Sequence, residues 1–120
     1  MKIAITATKN SPDAEIDPRF GRAPCFAIYE TDTDTVNFVN NDQNLNASSG
    51  AGIQAAQNIL ATGAEVVITG NCGPKAFKTL NAANIKIIVG ASGTIKEVVE
   101  KYKRGELKYT DSANVEGHWA

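Results

Sequence analysis

The chain is short of the residues that metal centres and disulfide frameworks need. It has two cysteines, Cys25 and Cys72, one histidine, His118, one tryptophan and one methionine among its 120 residues. The cysteines lie far apart and form no C-x-x-C, which argues against a disulfide scaffold and points to a reducing compartment, the cytoplasm. Two cysteines and one histidine fall short of the four ligands of a structural zinc site unless carboxylates help. Charge of one sign is missing too. Twelve basic against thirteen acidic residues leave a net charge of −1, and a broad nucleic-acid surface would need a basic excess. Apolar runs such as Val66-Val67-Ile68 and Ile87-Ile88-Val89 are far too short to span a bilayer. The start, Met1-Lys2-Ile3-Ala4-Ile5, lacks the longer apolar stretch and cleavage site of a secretory signal.

Several catalytic patterns are absent as well. No G-x-x-x-x-G-K-[ST] occurs and no G-x-G-x-x-G follows the first strand, which counts against P-loop and dinucleotide enzymes. A two-metal nuclease needs clustered carboxylates, yet residues 2–8 contain none. No nucleophile elbow is visible, and the sole histidine lies near the C-terminus, so Ser-His-Asp catalysis is disfavoured.

What is present is an alternation of strands and helices. Residues 2–8 read as a strand with Ile3 and Ile5 on one face and Ala4 on the other. Residues 25–30 and 35–40 flank the turn Thr31-Asp32-Thr33-Asp34, so they form an antiparallel hairpin, the second strand placing Val36 and Phe38 on one face. The period then changes. Residues 50–62 carry a helical stripe of Ile53, Ala56, Ile59 and Leu60, stopped by Gly63. Residues 74–84 form a helix opened by Pro74, with Ala76, Phe77, Leu80 and Ala83 as its stripe. Residues 94–104 form a third, with Ile95, Val98, Val99 and Tyr102, a Thr94–Glu97 capping box and Gly105 as the stop. Residues 65–69 and 85–89 are short β-branched strands. Right-handed strand–helix–strand crossovers make strands three, four and five parallel. The expected architecture is an α/β, ribonuclease H-like mixed sheet of five strands in the order 3-2-1-4-5, with three helices. Residues 1–108 form a single domain, and residues 109–120, polar and aperiodic, a mobile tail.

Strands one, three, four and five then end at one edge, where open α/β sheets bind ligands. Four loops converge there: residues 9–24, 41–52, 70–73 and 90–93. Three lead into helix N-termini, with their unpaired N–H groups and partial positive charge. The first adds Arg19 and Arg22, two fixed charges able to clamp an anion, although ion pairs with Asp13, Glu15 or Asp17 are the plainer alternative. The combination reads as a site for a compact anion. Cys72 lies between a strand and a helix N-terminus, a placement that should lower its pKa and favour the metal-binding thiolate; a small buried residue is the alternative. Cys25 opens a strand and reads first as core, with a second sulfur ligand as its functional reading. His118 is a candidate ligand only if the tail closes over the site.

Three segments carry a resemblance. Asp17-Pro18-Arg19-Phe20-Gly21-Arg22-Ala23-Pro24-Cys25-Phe26 resembles the signature loop of the dinitrogenase iron-molybdenum cofactor-binding family. Gly50-Ala51-Gly52-Ile53-Gln54-Ala55-Ala56 is similar to its first helix entry, and Gly70-Asn71-Cys72-Gly73-Pro74-Lys75-Ala76-Phe77 resembles its second glycine loop. The likeness spans Lys2 to about Leu107. It implies a non-enzymatic carrier of an anionic metal–sulfur cluster, iron-molybdenum or iron–sulfur in type, with cluster-assembly proteins as partners. Arg19, Phe20, Gly21 and Arg22 would form the binding loop, and Asn71, Cys72 and Gly73 the second. Phe20 would either shield the cluster or anchor the loop. A protein-interaction module and a small enzyme binding a phosphorylated metabolite are the alternatives.

Overall fold

The computed structural model describes residues 1–42 and 50–114. Five strands and three helices follow one another as β1 (Lys2–Ala7), β2 (Cys25–Glu30), β3 (Thr35–Asn40), α1 (Ala51–Thr62), β4 (Val66–Ile68), α2 (Pro74–Ala82), β5 (Lys86–Ile88) and α3 (Ile95–Lys103). The sheet order is β3-β2-β1-β4-β5. β1 pairs antiparallel with β2 and parallel with β4, and β5 joins β4 in parallel. β3 runs antiparallel to β2, so β1, β3, β4 and β5 all point to one edge. The mixed sheet expected from the alternation is the one observed.

Pleat alternation splits the core in two. Ile3, Ile5, Ala27, Val66, Ile68 and Ile88 face α3, which contributes Ile95, Val98 and Val99. Ala4, Phe26, Ile28, Val67 and Ile87 face the other way, against α1 and α2. The capping box of α3 forms as its sequence dictates. Thr94 accepts from the Glu97 N–H and Glu97 accepts from the Thr94 N–H.

Two stripe assignments change. In α1 the docked face is Gly52, Ala55, Ala56 and Ile59, an i, i+3, i+4, i+7 set. Ile53 and Leu60 flank it, and Leu60 is 42% exposed. The small alanines let the helix backbone lie close to the sheet, with Ile59 on the docked face and Ile53 and Leu60 turned to its flanks. In α2, Ala83 falls at the C-cap and is exposed, since the helix ends at Ala82.

Both loop stops use left-handed glycines, Gly63 at φ 79° and Gly105 at φ 72°. The β5 edge is covered by a strand-like bridge, in which the Thr110 N–H donates to the Ile87 carbonyl at 2.7 Å. Among the described residues no helix is long and apolar enough to cross a membrane.

Candidate functional site

The first long loop is tied down along its whole length. The Asp17 N–H donates to the Thr6 carbonyl at 2.8 Å, and the Thr6 hydroxyl donates back to the Asp17 carbonyl at 2.6 Å. Ala14 and Ile16 bond to the turn before α3, through Ile95 N–H to Ala14 O and Ile16 N–H to Gly93 O, both at 2.9 Å. A single 3-10 turn, Phe20–Arg22, closes the loop. Phe20 is fully buried, with its ring centroid 6.0 Å from that of Phe26. Of its two readings, loop anchor is the one the structure supports. Burying the ring fixes the two arginines that flank it.

The loop then meets the second glycine turn. Arg19 and Asn71 form a parallel bridge. The Asn71 N–H donates to the Pro18 carbonyl at 2.7 Å, the Phe20 N–H donates to the Asn71 carbonyl at 3.1 Å, and the Asn71 side-chain amide adds a second bond to Pro18 O at 3.1 Å. Gly70 is needed for this approach, because a Cβ there would stand 2.8 Å from the Pro18 Cα. Gly90 reaches the same turn, its N–H donating to Gly70 O at 2.8 Å. The 41–52 loop joins at its described start, where the Asn41 side chain donates to Ala23 O at 2.8 Å and accepts from Asn58 at 2.7 Å. The loops expected at one sheet edge are thus hydrogen-bonded to one another.

Arg19 and Arg22 remain exposed. The Asp17 carboxylate, buried and accepting the Arg19 N–H at 2.9 Å, lies 3.9 Å from the Arg19 guanidinium. Asp13 pairs with Lys96 instead. Arg22 has no ion-pair or hydrogen-bond partner among the described residues. Gly73 is the N-cap of α2 and Pro74 its first residue, so no side chain caps that helix. The first-turn N–H groups of Lys75 and Ala76 therefore have no intrahelical partner, whereas in α3 Ile95 and Lys96 donate to Ala14 O and Pro12 O and Glu97 donates to the Thr94 hydroxyl.

The cysteines depart from the sequence reading. Cys72 is completely buried, and desolvation pushes its pKa up to about 12. The helix N-terminus does not lower it. The thiol packs into the α1–α2 core, with only a long contact to Gly73 O at 3.7 Å, and losing water penalises the thiolate more than the dipole favours it. Cys25 sits in the other core, beneath α3, donating to Ala7 O at 3.5 Å, and burial raises its pKa as well. The two sulfurs lie on opposite faces of the sheet. His118 lies outside the described residues. Among the described residues no three His, Cys, Asp or Glu side chains converge as a metal-ligand group.

One contributor was invisible in the sequence. Thr110 bridges β5 at Ile87, and Asn114 grips the second glycine turn. Nothing in a polar, aperiodic segment signalled that contact. A groove of about 490 Å³ between the hairpin and the end of α1, lined by residues such as Ile28, Asn37, Val39 and Asn58, includes none of the expected site residues.

Residues 1–105 match the family model described as dinitrogenase iron-molybdenum cofactor. The chain belongs to that family. Among solved structures, the apo form of the orange protein from Desulfovibrio gigas matches with a TM-score of 0.89 and 37% identity, over 95% of this chain and 96% of that one. A putative NifB protein from Thermotoga matches with a TM-score of 0.80 and 29% identity, over 97% and 98% of the two chains. An uncharacterised protein of Methanocaldococcus jannaschii is 27% identical over 110 residues, 90% of each chain. Membership of this family supports a cluster-related carrier role rather than an enzymatic one.

Proposed function

We propose that this protein binds a compact anionic metal–sulfur cluster, of iron-molybdenum or iron–sulfur type, as cargo and carries it between assembly proteins in the cytoplasm. The fold is read as ribonuclease H-like from its strand order and directions, put to carrying rather than to cutting nucleic acid. The observation that carries the proposal is the stitching of the Arg19–Arg22 loop to the turn that opens the uncapped helix α2. It ties the loop that carries two exposed guanidinium groups, Arg22 without a partner among the described residues, to the turn that leads into backbone donors with no intrahelical partner. Such a donor set suits an anion whose sulfides and charge are met by hydrogen bonds and cations. Gly21, buried in the loop's 3-10 turn, and Gly73, at the N-cap, carry no side chain to hold a ligand off the backbone. Cys72 would ligate only after its turn opened, because its sulfur is sealed and its thiol is protonated at neutral pH.

Anaerobic titration with tetrathiomolybdate, a small metal–sulfur dianion, tests this. Losing one charge-assisted contact in Arg22→Ala should weaken binding about tenfold, on the order of 1.5 kcal/mol, and flatten its salt dependence. Cys72→Ala should leave affinity unchanged if capture is by hydrogen bonding and abolish it if thiolate ligation dominates. Affinity equal to wild type in an Arg19→Ala/Arg22→Ala double variant would sink the site assignment. Tight competition by inorganic phosphate would shift the cargo to a phosphorylated metabolite.

A further inference from the structure

The Gly70–Cys72 turn is an extended segment with two sides. One side is held by the first loop, through Pro18 and Phe20 as described. Gly90 adds its N–H to Gly70 O at 2.8 Å, and Asn114, remote in sequence, holds the other side. The Cys72 N–H donates to Asn114 Oδ1 at 2.7 Å, and the Asn114 N–H returns to the Cys72 carbonyl at 3.2 Å. Asn114 Nδ2 donates to Gly70 O at 3.3 Å and to Asn71 Oδ1 at 3.1 Å. Three of the four hydrogen-bonding positions of one side-chain amide, one lone pair and both N–H donors, are matched to this turn.

This matching has a direction. Asn71 donates from Nδ2 to Pro18 O and accepts at Oδ1 from Asn114 Nδ2. It therefore links the arginine loop to the C-terminal segment through one amide. The segment is itself seated on the sheet by the Thr110–Ile87 bridge. The turn that leads into α2 is consequently fixed from both flanks by parts of the chain remote in sequence. Fixing donors before a ligand arrives lowers the ordering cost of binding it.

We propose that Asn114 is a positioning residue of the anion site: from the C-terminal segment it sets the Gly70–Cys72 turn, and with it the geometry of the arginine loop and the α2 N-terminus. This rests on the cluster-carrier reading above only for the identity of the ligand. The hydrogen-bond pattern defining its role is independent of that reading.

Two variants separate the functions of its amide. Asn114→Ala removes the acceptor and both donors. Asn114→Asp keeps the acceptor for the Cys72 N–H, loses the donors, and turns a carboxylate oxygen toward Gly70 O and Asn71 Oδ1. Two readouts are taken from each: the backbone amide resonances of Asn71, Cys72 and Gly73, recorded without ligand, and tetrathiomolybdate affinity at neutral pH. In Asn114→Ala the Cys72 amide proton should move upfield and exchange faster, while the β1 and β4 amides keep their positions. Affinity should fall about tenfold. In Asn114→Asp the Cys72 amide should stay near its wild-type position, yet affinity should fall further, because the donors are lost and a negative charge is added beside an anion.

Unchanged Asn71–Gly73 resonances in Asn114→Ala would overturn the proposal. Wild-type affinity in both variants would do the same. A wild-type protein that binds no tetrathiomolybdate would count against the carrier reading while leaving the amide shifts to decide the positioning role.

Discussion

Replacing Gly70 with alanine tests whether the two loops truly share one seam. Its backbone is not in the left-handed region, so no dihedral penalty applies. The obstacle is contact. The new Cβ would lie 2.8 Å from Pro18 Cα, 2.9 Å from Pro18 O and 3.1 Å from Pro18 Cβ. Carbon atoms at rest sit about 3.5–4.0 Å apart, and two of the three atoms met are backbone, which no rotamer change can move. The seam must therefore widen by roughly 0.7 Å. Its shortest bond, Asn71 N–H to Pro18 O at 2.7 Å, survives such a shift at the edge of the normal range, but the two at 3.1 Å do not. Two lost hydrogen bonds at about 1 kcal/mol each, with about 1 kcal/mol of residual overpacking, give a destabilisation of about 3 kcal/mol. For a domain of this size that lowers the melting temperature by about 10 °C. Gly90→Ala is the control. At φ 78° with nothing within 4 Å of its added Cβ, it carries only the left-handed penalty of about 1–2 kcal/mol. Urea unfolding of both variants, followed by far-UV circular dichroism, ranks them. A Gly70→Ala protein as stable as Gly90→Ala would refute the close-packed seam.

Other outcomes follow from the same contacts. Because burial raises the Cys72 pKa from 9.0 to about 12, the folded protein holds this proton where the unfolded chain loses it. Its contribution is fully present below about pH 9 and is lost as pH rises toward 12, at up to about 1.4 kcal/mol per pH unit; denaturant titrations at pH 8 and 10 should show that slope flattened in Cys72→Ala. Native Cys72 should resist iodoacetamide at pH 8 and react once the chain is unfolded. Phe20→Ala, which empties a fully buried site against Phe26, should cost about 3–5 kcal/mol in chemical denaturation. Thr94→Ala removes the N-cap acceptor of α3 and should cost about 1 kcal/mol. Leu60→Gln, on the exposed flank of α1, should stay within about 0.5 kcal/mol of wild type.

The strands were legible because their signals are local. Period-two alternation places Ile3 and Ile5 against Ala4, and a four-residue turn leaves the hairpin no other pairing. Helix existence was legible for the same reason, but helix rotation was not. The apolar stripe of α1 counts Leu60 as readily as Ala55, and only packing against a sheet rewards the smaller residue that permits closer approach. The candidate site was legible as a set of loops, since parallel strands must bring their ends together. Cys72 was misjudged in charge state because its position in the chain shows the helix terminus and hides the desolvation. Asn114 was missed because hydrogen bonds across 42 residues of sequence leave no periodic trace.

By itself, then, the sequence determined the alternation of elements, the direction of each strand and the edge at which Arg19, Arg22 and the glycine turns must meet. These follow from backbone geometry and from burial patterns within a few residues of each position. Tertiary structure alone decided which of those groups are exposed and which are sealed. It buried Phe20 and Cys72 while leaving both arginines in water, and it brought Asn114 onto the far side of the Gly70–Cys72 turn. Burial and long-range hydrogen bonding depend on what the rest of the chain places nearby, and no local pattern encodes that.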